Sequence, residues 1–287
     1  MRTCLLVALA VGCKGDTGDE TPSDDSALSD DTAPDDTGEP AVVAGQDFAL
    51  YQSGTLAVYL NADRNIPESV SGTQSVGQPG GWTTLADFDG DGRDDLWQIA
   101  ESSETIFIYM NDGSGTITTP HSFEKSTGLS LTRPWLAGDF TGDGLDDIAQ
   151  LNTNTSRMVV LPNNVGVFDD DQRVGTDVNF TGTGQLFAAD FDGDGTDDIG
   201  FRKDGTVSVW PVVDGVVGGA PLFEISDPTT AVAALGLDVD DDGLAELALW
   251  SGSTLWLYAN TGGAIDVSAE TSVLIGAQGD PLAGDLR

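Results

Sequence analysis

Four nine-residue stretches built from aspartate and glycine concentrate the chemistry of this 287-residue chain. Asp87-Phe88-Asp89-Gly90-Asp91-Gly92-Arg93-Asp94-Asp95 is matched by DFTGDGLDD from Asp139, DFDGDGTDD from Asp190 and DVDDDGLAE from Asp238. Counted from the first residue, oxygen-bearing side chains fall at positions 1, 3, 5 and 9. In loop 1 they are Asp87, Asp89, Asp91 and Asp95, and in loop 2 Asp139, Thr141, Asp143 and Asp147. Loop 3 has Asp190, Asp192, Asp194 and Asp198, and loop 4 has Asp238, Asp240, Asp242 and Glu246. Alternate residues of a tight loop can turn toward one centre, and calcium takes six to eight hard oxygen ligands from such a shell. The backbone carbonyls at position 7, from Arg93, Leu145, Thr196 and Leu244, would add one oxygen each. Gly92 at position 6 permits the sharp turn that an L-residue resists. Thr141 lowers the charge of loop 2, so that loop should bind more weakly.

Other cations fit less well. An EF-hand needs a bidentate Glu at position 12 and flanking helices. Position 12 is Gln98, Gln150, Phe201 or Leu249, and the flanks read as strands. Zinc lacks its ligands, since His121 is the only histidine and no thiolate pair exists after Cys13. Magnesium keeps its waters and seldom fills an all-protein cage. Asp and Gly are also ordinary turn formers, but four clusters with side chains in register argue for up to four calcium ions, one per loop.

The elements that position these loops repeat with them. The loop starts are spaced by 52, 51 and 48 residues, a period of the propeller-blade range. In each unit a short apolar run precedes the loop (WTTLA, PWLAG, QLFAA, VAALGL) and another follows it (LWQIA, IAQL, IGFR, LALW). A polar turn, a third run (TIFIYM, RMVVLP, TVSVWP, TLWLYA) and a weaker fourth complete it. No helical period persists, so the unit reads as four short antiparallel strands, one propeller blade. The segment from Gln46 aligns with the part of a unit after the loop, and DPLAGDLR from Asp280 with the part before it. Joined, they complete a fifth blade. The expectation is an all-β, five-bladed β-propeller over 41–287, closed by the C-terminal strand.

These motifs resemble the FG-GAP or VCBS-type repeat, the family that builds the β-propeller of integrin α subunits and of many bacterial surface proteins. The resemblance implies structural calcium between strands 1 and 2 of a blade, held by the position 1, 3, 5 and 9 residues named above. The chain departs from integrins in having five units rather than seven blades, and its first and last units lack an intact loop.

The N-terminus and the overall charge bear on location. MRTCLLVALAVGCKGD has one Arg, a short apolar run and small residues before Cys13, as an export signal does. Leu9 to Cys13 resembles a bacterial lipobox, which implies cleavage after residue 12 and lipidation of Cys13; Ala10 stands where Leu is usual. Residues 13–40, with ten acidic side chains and almost no apolar ones, read as a disordered, self-repelling linker. The chain carries 48 acidic against 11 basic residues and a formal charge of −37. Nucleic acid is excluded as a partner, because neutralising phosphates takes Lys/Arg clusters. The membrane is reached only through the lipid anchor. The expected location is the outer membrane or cell surface, or secretion if Cys13 is not acylated.

The expected function is a monomeric binding or adhesion module for a protein or glycan. Its ligand face lies away from the calcium loops, with Trp82, Arg133, Trp135 and Lys203 as candidates; each Trp could instead pack between blades. The alternatives are a polysaccharide-acting enzyme and an envelope scaffold component. Catalysis has no nucleophile set to support it, and Glu101, Glu104, Glu124 and Glu224 show no paired spacing, so no catalytic residue is assigned.

Overall fold

The structure is a computed structural model that describes residues 45–284, apart from 63, 77–81, 101–104, 114–115, 120–122, 127–132, 165–166, 169, 181, 183, 228 and 230. The signal segment, Cys13 and the acidic linker lie outside the described residues, as do Glu101, Glu104 and His121. No described helix is long and apolar enough to cross a membrane.

In chain order the strands are β1 (Asp47–Gln52), β2 (Thr55–Tyr59), β3 (Gly72–Ser75), β4 (Trp82–Ala86), β5 (Asp95–Ala100), β6 (Thr105–Tyr109) and β7 (Phe123–Ser126). Then come β8 (Trp135–Gly138), β9 (Asp147–Asn152), β10 (Arg157–Leu161), β11 (Val174–Asp177), β12 (Gln185–Ala189), β13 (Asp198–Lys203) and β14 (Thr206–Trp210). The remainder are β15 (Val212–Val213), β16 (Val216–Val217), β17 (Phe223–Ser226), β18 (Ala233–Leu237), β19 (Glu246–Trp250), β20 (Thr254–Asn260), β21 (Ile265–Leu274) and β22 (Asp280–Gly284).

They form five four-stranded antiparallel sheets, each one blade. Blades 2, 3 and 5 are β4–β7, β8–β11 and β18–β21; blade 4 is β12-β13-β14-β17, with β15 and β16 as an inserted hairpin. Blade 1 is β22-β1-β2-β3, so the C-terminal strand supplies its innermost position. The register pairs Phe48 with Ala283, Ala49 with Leu282 and Leu50 with Pro281. The expected closure is therefore present, and it removes the open seam that an unpaired β1 would expose.

The core is divided into five wedges, each between two adjacent blades. Trp97, Ile106 and Ile108 of blade 2, for example, pack against Trp135, Ile148 and Phe168 of blade 3. Phe48, Leu50 and Tyr59 of blade 1 meet Leu235, Trp250 and Leu257 of blade 5. A blade has neighbours on both faces, so both side-chain sets of its middle strands are covered. That is why β9 is buried from Asp147 to Leu151, including Gln150.

Crowding sets a limit at Gly200 in β13, where a Cβ would come within 2.1 Å of the Phe187 ring. Gly200→Ala should therefore destabilise the fold by roughly 1–3 kcal/mol, as overpacking does. Urea unfolding followed by tryptophan fluorescence measures this, and an unchanged midpoint would show that the Phe187 ring moves aside.

Candidate metal centre

Each Asp-rich loop joins the innermost strand of a blade to the second, where the backbone must reverse in a few residues. The position 6 glycines Gly92, Gly144, Gly195 and Gly243 all have φ between +80° and +84°, a region L-residues avoid. The position 1 aspartate organises the turn. Asp87 Oδ1 accepts the Gly90 and Asp91 N–H groups at 2.7 and 3.3 Å, and Oδ2 accepts that of Gly92 at 2.8 Å. Asp139 does the same with Gly142, Asp143 and Gly144, and Asp190 with Gly193 and Gly195.

Three loops gather carboxylates closely enough to share an ion. Oxygens of Asp87, Asp89 and Asp95 lie within 4.8 Å of one another, as do those of Asp190, Asp192 and Asp194, and of Asp238, Asp240 and Glu246. Two oxygens on opposite sides of one calcium sit about 4.8 Å apart at the usual bond length of about 2.4 Å. Asp240 Oδ1 is buried without a hydrogen-bond partner, as expected of a group that lacks its ligand. The donor set is all oxygen and so fits calcium. Cationic side chains already gather here: Arg64 reaches Asp240 at 3.4 Å, and the Arg93 guanidinium rests on Asp91. Loop 2, with Thr141 at position 3, forms no such three-carboxylate group among the described residues.

The position 9 acids have a second task. Asp95 Oδ1 accepts the Asn111 N–H at 2.7 Å and Oδ2 that of Phe88 at 3.3 Å. Asp147 holds Asn163 and Phe140 alike, and Asp198 holds Val212 and Phe191. Each therefore ties the end of the third strand to the start of the loop. Asp47 in blade 1 makes the same bond to Asn61 at 2.7 Å although its blade has no described Asp-rich loop. Desolvation raises the carboxyl pKa of Asp95, Asp147 and Glu246 to about 7 and that of Asp198 to about 8. Neighbouring carboxylates push the same way.

Two further sets of residues, absent from the sequence reading, join each loop to the next blade. The first is position 8. Asp146 of loop 2 accepts the Asp87 N–H at 2.7 Å and donates its own N–H to the Asp87 carbonyl at 2.8 Å. Asp197 of loop 3 clasps Asp139 in the same way, at 3.1 and 2.7 Å. Gln46 does so for Asp238 with its amide oxygen at 3.0 Å. Ala245 keeps only the backbone half, donating to the Asp190 carbonyl at 2.8 Å. The second set is the asparagine after the third strand. Asn163 Nδ2 donates to the Phe88 carbonyl of the preceding blade and to that of Asp146. Asn260 bridges Phe191 and Ala245, and Asn61 bridges Val239 and Gln46. Blade 4 has Val212 there, and the Gly215 N–H of the inserted β15–β16 hairpin reaches the Phe140 carbonyl instead, at 2.8 Å. The signals were an Asp at position 8 of three loops and an Asn closing four of five third-strand runs.

The five innermost strands surround a channel of about 940 Å³. Asp94, Asp146 and Asp197 line its loop end, where the strands finish, while Trp82, Gln185, Val232 and Asp280 line the end where they begin. Trp82 is 46% exposed and Val232 65%. Trp135 lines the channel too but is 5% exposed, packed with Trp97 and Phe168. Arg133, half-buried in the turn before β8, and Lys203, half-buried at the end of β13, do not line it. Of the four candidates for the ligand face, Trp82 and Trp135 thus line the channel and Arg133 and Lys203 do not. Glu224 accepts a hydrogen bond from Ser208.

Residues 87–150, two successive loops and the strands between them, match the family described as FG-GAP-like repeat. No curated protein matches the chain. Among solved structures that do match is a lectin of Agrocybe aegerita, described by its specific recognition of non-reducing terminal N-acetylglucosamine. It shows 20% identity over 70% of this chain and 56% of that one, with a TM-score of 0.47. This chain thus spans little more than half of that lectin's length.

Proposed function

We propose that this FG-GAP-repeat propeller is a calcium-stabilised binding module for a protein or glycan ligand, exported and held at the cell surface through Cys13. The observation that carries this reading is the contrast between the two ends of the channel. At one end, carboxylate clusters and interblade hydrogen bonds occupy the loops with holding blades together. At the other, the half-exposed Trp82 indole lines the channel mouth together with Val232 and Asp280, while the Gln185 amide is bonded to the Ala234 backbone. An exposed tryptophan offers large, rigid contact area to a sugar face or an apolar side chain.

In each clustered loop the position 1 and position 3 carboxylates, joined by position 5 or 9, would hold calcium. The ion would supply positive charge that lets these acids stay ionised and close together. The chain's own residues do the rest: position 9 fixes the third strand, and the glycines set the turn.

The test is a screen of glycans and surface proteins in millimolar calcium, repeated with Trp82→Ala. A ligand lost or weakened at least tenfold by Trp82→Ala, with the melting temperature within about 2 °C of the parent, is the expected result. A ligand whose binding ignores Trp82 would move the site elsewhere, and turnover of a bound polysaccharide would replace binding by catalysis. Fatty-acid labelling of the chain, lost in Cys13→Ser, tests the anchor.

A further inference from the structure

We propose that Asp146 is a positioning residue for calcium in the preceding blade: it serves loop 1 rather than its own loop 2. The proposal rests on the calcium reading above and adds a direction to it.

Asp87 contributes to the loop 1 cluster, and its carboxylate is held by three loop N–H groups. Among the described residues, Asp146 grips the Asp87 main chain from outside the loop. The Asp87 N–H donates to Asp146 Oδ2, and the Asp87 carbonyl accepts the Asp146 N–H. A ligand is held only as well as its supporting contacts allow. Removing the Asp146 side chain frees one side of Asp87. The Asp146 side chain accepts from Asp87 of the neighbouring loop, whereas Asp147 beside it holds Phe140 and Asn163.

The molecule contains its own comparison. Asp139 is clasped by Asp197 on both sides, while Asp190 in loop 3 meets Ala245, whose side chain has no oxygen to offer. Position 8 of loop 4 is thus the gap in the series, and loop 3 is the cluster that lacks the side-chain half of the clasp.

Calorimetric titration of calcium into the metal-free full-length chain reads this out. Asp146→Ala should weaken one site at least tenfold, and Asp146→Asn, which keeps an oxygen acceptor, should recover most of that loss. In an Asp89→Asn background, where loop 1 is already disabled, Asp146→Ala should change nothing further. In an Asp143→Asn background, where loop 2 is disabled, its effect should persist. The converse pattern would assign Asp146 to its own loop and overturn the proposal. Ala245→Asp supplies the missing carboxylate and should tighten the loop 3 site about threefold or more; no change there, with the protein folded, also overturns it. A parent chain with no calcium signal overturns both this and the calcium reading. A parent that binds calcium normally, with variants that show neither pattern, overturns this proposal alone.

Discussion

Chelating calcium at pH 8 is expected to lower the melting temperature by at least about 20 °C. A ligand that binds only the folded state at a thousand times its Kd stabilises by about 4 kcal/mol per site. Three clustered loops then contribute about 12 kcal/mol, and each kcal/mol is worth roughly 2–4 °C in a domain of this size. The effect should depend on pH with a definite sign. In the metal-free fold, burial lifts Asp95, Asp147 and Glu246 to about 7 and Asp198 to about 8. Unfolded, the same groups titrate near roughly 4. Between these values the folded state holds protons that the unfolded state has released. Metal-free stability therefore falls as pH rises from about 4 through 8. Calcium competes with those protons, so its stabilising effect grows over the same range. Scanning calorimetry with and without chelator at pH 5 and pH 8 checks both trends. Equal melting temperatures with and without calcium at pH 8 would remove the metal from the account.

Deleting residues 280–287 is expected to abolish cooperative unfolding altogether. It removes β22, the innermost strand of blade 1, and the whole ladder from Asp47 to Tyr51. Leu282, 7% exposed, leaves the wedge between blades 1 and 2, and Ala283 leaves the wedge between blades 5 and 1. A net contribution of roughly 0.5–1.5 kcal/mol per hydrogen bond plus the lost burial approaches the whole stability of a typical domain, roughly 5–15 kcal/mol. It also leaves β1, which carries Phe48 and Leu50, as an unpaired edge. Soluble expression, near-ultraviolet circular dichroism and a thermal scan read the outcome. A truncated chain that melts sharply near the parent temperature would show that β22 is dispensable.

The architecture was legible because it is periodic. Loops spaced at a blade length, with apolar runs on either side, impose a strand order that local propensity need not settle. The incomplete first and last units then require the ring to close. What escaped was the chemistry between blades. Asp146 and Asp87 are 59 residues apart, and Asn163 and Phe88 are 75. Within its own unit each looks like an ordinary turn residue, since its partner belongs to the neighbouring repeat. Position 9 was legible as a possible ligand but not as a strand tie, which appears only when Asn111 or Asn163 is seen donating to it. The channel end with Trp82 was only partly legible. Spacing cannot distinguish an indole at a rim from one inside a wedge, and Trp82 and Trp135 each begin an innermost strand yet differ from 46% to 5% exposure.

Blade 1 carries the interblade fastening without a described Asp-rich loop. It keeps the buried Asp47, its bond to Asn61 and the Asn61 bridge to Val239 in blade 5. The fastening between blades therefore does not need a described Asp-rich loop in each: blade 1 is joined to blade 5 without one of its own. A calcium-independent version can be drafted from that precedent, by pruning positions 1, 3 and 5 of each loop to neutral turn residues while leaving every position 9 acid and every bridging asparagine in place.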